Sequence, residues 1–180
     1  RTNENYIKVG PPIAYVSQTG SPAFPYTNWA TAATNIQTAV DAGGDGTVVM
    51  VTDGVYSVSS QIAISDAITV RSANGADAVT VDGNNSTRCF YLTHTNAVLD
   101  GLTIANGSLA GSVGLSVGGG GVYCFHGGTV QNCVVSNCYT GGNASGGGIG
   151  LAGHCNIVRN CLIVDNSSYK NGGGIGTYFG

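Results

Sequence analysis

Three glycine triplets recur in the second half of the chain: Gly119-Gly120-Gly121-Val122, Gly146-Gly147-Gly148-Ile149 and Gly172-Gly173-Gly174-Ile175, spaced by 27 and 26 residues. A fixed period of this size is the mark of a repeat architecture. A second phrase keeps register between the triplets: Asn132-Cys133-Val134-Val135-Ser136-Asn137, then Asn160-Cys161-Leu162-Ile163-Val164-Asp165-Asn166. A diverged earlier copy is Gly101-Leu102-Thr103-Ile104-Ala105-Asn106. Each period holds short β-branched runs, such as Thr129-Val130-Gln131 and Ile157-Val158, that are too short for helices and are broken by Gly and Asn. A unit this small cannot bury its own apolar face, but a stack of such units can, which predicts a solenoid. The runs at 47–51, 67–70, 78–81 and 97–99 fit the same scheme with tighter turns. The reading is about five coils from Thr47, with the start of another at Gly172.

Composition narrows the function classes. Charged residues make up only 8% of 180, and the cations are Lys8, Lys170, Arg1, Arg71, Arg88 and Arg159, scattered rather than clustered. That excludes a nucleic-acid groove and a basic membrane patch, which need dense Lys and Arg. No apolar run is long enough to span a bilayer, whereas a 42% apolar fraction is enough for a packed core. The six cysteines all lie from Cys89 onward, without CxxC pairing. With the abundance of Asn, Ser and Thr, this points to an exported, extracellular or cell-surface protein. The chain opens on Arg1 with no charged-then-apolar leader, which fits either a processed export product or a piece of a longer chain.

Trp29, Ala32, Ala33, Ile36, Ala39 and Val40 fall at helical spacing and stop at Gly43-Gly44, predicting one α-helix over 29–42 that covers the first coil. Ahead of it, Gly10-Pro11-Pro12 separates a strand-like arm, Asn5 to Val9. The expected organisation is an N-terminal arm over 1–14, a leading strand and capping helix over 15–46, and coils over 47–180 with the last one incomplete.

These residues carry a resemblance. Tyr15-Val16-Ser17, Trp29-Ala30-Thr31-Ala32-Ala33, Ile36 to Ala42, Gly46 to Val51 and Gly54-Val55-Tyr56 resemble the leading segment of right-handed parallel β-helix proteins of the pectate-lyase-like superfamily. The Gly-Gly-Gly coils are similar to the β-helix repeats of large secreted bacterial surface proteins. The resemblance implies an all-β fold, a right-handed parallel β-helix with an N-terminal capping α-helix. It implies no single activity, because the superfamily includes lyases, hydrolases, adhesins and structural spikes. Its lyases use a basic residue beside an acidic calcium site on the outer face of one sheet; here Arg71 and Arg88 beside Asp82 are the only candidates.

Several constellations have both a functional and a bland reading. His94, His126 and His154 occupy comparable places in successive coils, but parallel ladder residues do not converge on a metal, so no metal or cofactor is expected. Cys133 and Cys161 share a slot in adjacent coils, where a disulfide and a reduced, buried pair both fit. Cys124 shares its slot with Leu151, and Cys138 and Cys155 lie near turns and could pair or stay free. Asn106, Asn137 and Asn166 read as one turn position and an asparagine ladder. Among five Asn-x-Ser/Thr sequons, Asn143 and Asn166 are the best glycosylation candidates.

Two functions of different class follow. The first is a non-catalytic structural or adhesive solenoid that joins copies of itself head to tail. An uncapped last coil would receive the arm of the next subunit, with Tyr6, Ile7, Val9, Ile175, Tyr178 and Phe179 as assembly residues. The alternative is a carbohydrate-active β-helix, a polysaccharide lyase or glycan-binding domain, with Tyr91, Tyr123 or Tyr139 stacking on sugar rings.

Overall fold

A computed structural model describes residues 9–110 and 118–178. The assembly candidates Tyr6, Ile7 and Phe179 lie outside the described residues. The chain enters through strand β1 (Ile13–Val16), a 3-10 turn (Trp29–Thr31) and helix α1 (Ile36–Ala42). It then winds as β2 (Val48–Val51), β3 (Gly54–Ser57) and β4 (Ile62–Ile64), followed by β5 (Thr69–Ser72), β6 (Val79–Asp82) and β7 (Phe90–Leu92). The next coil holds β8 (Val98–Asp100), β9 (Thr103–Ala105), β10 (Ser108–Leu109) and β11 (Val122–Cys124). After it come β12 (Gly128–Gln131), β13 (Val134–Ser136), β14 (Tyr139–Thr140) and β15 (Ile149–Ala152), then β16 (Asn156–Arg159), β17 (Leu162–Val164), β18 (Ser167–Ser168) and β19 (Ile175–Tyr178).

Among the described residues every strand pairing is parallel, and each sheet is built by joining one coil to the next. The first sheet runs β1-β2-β5-β8-β12-β16, the second β3-β6-β9-β13-β17, the third β4-β7-β11-β15-β19, and a small fourth one β10-β14-β18. The fold is therefore a parallel β-solenoid, with about four turns between β2 and β16. The three triplets stack as the repeat predicts: Gly120 N–H donates to Gly147 O at 2.9 Å, and Gly148 N–H to Gly173 O at 3.0 Å. The segment from Gly172 does not begin another coil, however. Its strand β19 pairs with β15 and belongs to the coil opened by β16.

Side chains alternate, and the inward ones form columns. Ile62, Phe90, Val122, Ile149 and Ile175 succeed one another down the third sheet. Tyr56, Val81, Ile104, Val135 and Ile163 do so down the second. Each fully buried aliphatic side chain contributes about 1.5–3 kcal/mol, which no isolated coil could gather. The corners are cut by residues in the left-handed region. Gly101, Asn132 and Asn160 (φ +67°, +54° and +51°) turn the chain from the first sheet to the second. Asn106, Asn137 and Asp165 (φ +52°, +52° and +55°) turn it out of the second. Asn and Asp tolerate this conformation because their short polar side chains bond locally, which is why they recur at the repeat period.

The helix expected over 29–42 is split. Asn28 caps the 3-10 turn and Asn35 caps α1, each side chain accepting from a backbone N–H three residues on. Between them Ala33 is extended, because its N–H donates to Tyr15 O and its own carbonyl accepts from Ser17 N–H, both at 2.9 Å. An edge strand with unpaired groups captured residues that spacing alone assigned to a helix. Pro11 and Pro12 likewise do not detach the chain. Thr47 Oγ1 donates to Pro11 O at 2.8 Å and Val48 N–H to Pro12 O at 3.0 Å, so the approach to β1 already lies along β2.

The N-terminal face of the column is covered at each of the first three sheets. Tyr26 and Ala33 bond the free edge of β1. The Gln37 amide, on α1, accepts from Ala63 N–H at 2.7 Å and donates to Ala63 O at 3.2 Å, standing in for a strand beside β4. The Gln18 amide donates to Val55 O on β3 at 2.5 Å. Beneath these bonds Ile36, Ala39 and Val40 of α1 cover the core.

Candidate functional site

A cluster of aromatic side chains lies on the outer face of the third sheet. In-register pairing of β7 with β11 sets Tyr91 beside Tyr123, and their rings stack at 5.6 Å with an interplanar angle of 23°. Phe125 lies against both rings. Over this platform sits Arg88, only 9% exposed, its guanidinium carbon 4.9 Å from the Tyr123 ring and 5.8 Å from Tyr91. Arg88 Nε donates to Gly119 O at 2.7 Å and Nη1 to Gln61 Oε1 at 2.9 Å. Desolvation lowers the pKa of the Arg88 guanidinium, and burial raises that of the Tyr123 hydroxyl. The cation is held by a carbonyl, an amide and two ring faces, and it pins the first glycine triplet to the sheet. Arg88→Met leaves the Gly119 carbonyl without its donor and removes the cation–π contact. The expected cost is about 2 kcal/mol, read from the urea unfolding midpoint. Arg88→Lys should not restore it, because one ammonium cannot reproduce the planar fork.

The pairing of Arg71 or Arg88 with Asp82 as an outer-face base is overturned by this geometry. Arg88 is engaged on the third sheet. Arg71, on the first sheet, donates from Nε to Asp100 Oδ2 at 2.9 Å. Asp82, on the second sheet, accepts from Asn84 N–H at 2.8 Å and from Asn106 Nδ2 at 3.0 Å.

Those bonds are parts of ladders that run down the corners. Asp82, Asn106 and Asn137 form one, with Asn137 Nδ2 donating to Asn106 Oδ1 at 2.6 Å. Asp100 and Asn132 form another, with Asn132 Nδ2 donating to Asp100 Oδ1 at 2.7 Å. Burial alone would raise the Asp100 pKa, but hydrogen bonds from its neighbours, Asn132 foremost, outweigh it and hold the carboxyl below its ordinary range. On the first sheet Gln131 Oε1 accepts from Arg159 Nε at 2.9 Å and Nη2 at 2.6 Å.

The asparagine ladder differs from its sequence reading by one place. Asp165, not Asn166, takes the left-handed corner after Asn137. Asn166 occupies the next slot, opposite Cys138, where its Oδ1 accepts from Cys138 N–H at 2.9 Å and its Nδ2 donates to Val135 O at 2.8 Å. That commits the amide of one glycosylation candidate, whereas Asn143 stands exposed between β14 and β15.

Cys133 and Cys161 stack, as the flanking register Val134 to Leu162 requires, and Leu162 N–H donates to Cys133 O at 3.0 Å. Cys133 is buried and Cys161 half-buried. Cys124 faces the core in the slot of Leu151. Cys138 lies buried at the corner after β13, and Cys155 is exposed at the corner after β15. At the far end Ile175 continues the core column but is 39% exposed, and outward-facing Leu162 is 59% exposed. Tyr178 lies on β19, and Val9 is exposed at the other end.

An open groove of about 340 Å³ lies between α1 and the turn after β3, lined by Gln18, Asn35, Gln37, Tyr56, Ser59 and Ser60. Its glutamine amides are already bonded to strand edges. Among the described residues no three His, Cys, Asp or Glu side chains gather as a metal site, and no helix is long and apolar enough to cross a membrane. In comparisons with family models, curated proteins and solved structures, nothing matches the chain.

Proposed function

We propose that the protein is a non-catalytic β-solenoid of the extracellular space or cell surface, structural or adhesive, that joins copies of itself head to tail. The observation that carries this reading is where its polar side chains go. Asp82, Asp100, Arg71, Arg159 and the corner asparagines bond one coil to the next, which suits a column built for stiffness. The two ends also differ. Gln18, Gln37 and the segment around Ala33 seal the N-terminal face, which opposes coil-on-coil stacking there. Among the described residues, no strand pairs with the outer edges of β16, β17, β18 and β19. Exposed strand edges above a partly exposed core favour strand addition, and the occupant we assign is the arm of a second copy, including Tyr6, Ile7 and Val9. A contact of this kind is heterologous and propagates.

The test is electron microscopy and sedimentation of the whole chain over a range of concentrations. Concentration-dependent fibres that are lost on removing residues 1–10, with the far-ultraviolet circular dichroism unchanged, are the expected result. Monomers at every concentration, or fibres that persist without the arm, would overturn the assembly. Release of unsaturated products from an acidic polysaccharide would replace the non-catalytic reading with that of a lyase.

A further inference from the structure

The ladders and the core columns leave one pair of chemically reactive groups unexplained. Cys133 and Cys161 sit directly above one another in neighbouring coils, fixed by the in-register pairing of β13 with β17. Stacked positions in parallel strands place Cα atoms about 4.8 Å apart, inside the span a disulfide bridges. Their surroundings are not equivalent. Cys133 Sγ is buried and bonded to Gln131 O at 3.0 Å, whereas Cys161 Sγ is partly open to solvent and bonded to Arg159 O at 3.2 Å.

We infer that Cys133 and Cys161 form a redox-modification site that reacts with low-molecular-weight disulfides and closes into a bridge between the coil opened by β16 and the coil above it. In the first step the Cys161 thiolate attacks one sulfur of oxidised glutathione. The glutathione S–S bond breaks, a Cys161–glutathione mixed disulfide forms, and one glutathione thiolate leaves and takes up a proton. In the second step Cys133 loses its proton, attacks the Cys161 sulfur and expels the second glutathione thiolate. One glutathione disulfide is thereby reduced to two thiols, and two protein thiols are oxidised to one disulfide. The division of labour follows from access, since the open thiol is attacked from solvent and only the buried one can resolve it. The closeness of the two thiols supports the same order, because their interaction holds Cys161 below the usual thiol range against the opposing effect of burial and, with burial, pushes Cys133 up.

Covalent closure shortens the free loop between residues 133 and 161, so the bridge should also hold down the last described strands. This does not depend on any ligand of the aromatic platform.

The experiment treats the full chain, carrying Cys155→Ser to remove the exposed competitor, with oxidised glutathione. Free thiols are then alkylated and the peptides mapped by mass spectrometry. A Cys133–Cys161 cross-link is expected, reversed by a reductant. Cys133→Ala, which keeps the slot apolar, should instead accumulate glutathione on Cys161. Amide hydrogen exchange over 156–178 should slow by about tenfold or more on oxidation. An unmodified Cys161, a mixed disulfide at Cys161 that persists beside an intact Cys133, or a cross-link with unchanged exchange would each overturn the proposal.

Discussion

Gly147→Ala is expected to lower stability by about 3 kcal/mol or more, because the added methyl would meet backbone on two sides. The position a Cβ would take at Gly147 is filled by Ser167 O and Gly173 O, and at Gly120 by Tyr139 O and Gly147 O. These are carbonyls held in the small sheet and in the neighbouring triplet, so neither can swing aside as the end of a flexible side chain would. Gly75 provides the contrast. It has φ +94° and nothing within 4 Å of its would-be Cβ. Gly75→Ala should therefore incur only the left-handed backbone penalty, about 1 kcal/mol. Urea unfolding of both variants separates close approach from backbone conformation as the reason for glycine. Equal losses would mean that the triplet is retained for flexibility and that the coils can move apart to admit a methyl.

The same contrast explains what the sequence disclosed. The triplets and the Asn-Cys phrase repeat because each coil meets the same neighbour in the same way, so period alone revealed the stacking of Gly120 on Gly147 and of Cys133 on Cys161. Short strands with no β-branched run, such as the one holding Phe90, Tyr91 and Leu92, are visible only once the coils are in register. The Arg88 clamp was hidden for a related reason. Its partners Gln61, Tyr91 and the pair Gly119 and Tyr123 come from three stretches of chain, and no spacing rule connects them. A signal did exist: an arginine in a chain with few carboxylates must find carbonyls or aromatic rings when it is buried. The shift from Asn166 to Asp165 at the corner came from matching residue type across coils. Conformation decides that slot, and aspartate enters the left-handed region almost as readily as asparagine. The broken helix shows the limit of periodicity, since the unpaired edge of β1 lies outside the window in which spacing is counted.

Phe90→Ala should reduce stability by about 3–5 kcal/mol. Phe90 is fully buried (0% exposed), the largest side chain so enclosed among the described residues, between Ile62 above and Val122 below. Neither neighbour can lean in to fill the space, because each is fixed by strand pairing with its own coil, so most of the cavity should persist. Many natural domains hold only about 5–15 kcal/mol in total, so the loss would bring the column close to unfolding at moderate urea. Tyr91, the next residue, faces the opposite side of the same strand and carries the platform beneath Arg88. A void behind β7 should loosen that platform, and Arg88→Met should then lose part of its own effect. The double variant is expected to be less damaged than the sum of the two single ones, by about 0.5–1 kcal/mol in a double-mutant cycle. Strict additivity would mean that the outer clamp and the inner column are held independently. In that case the stiffness of the solenoid would rest on its corner ladders and not on coupling across the strand.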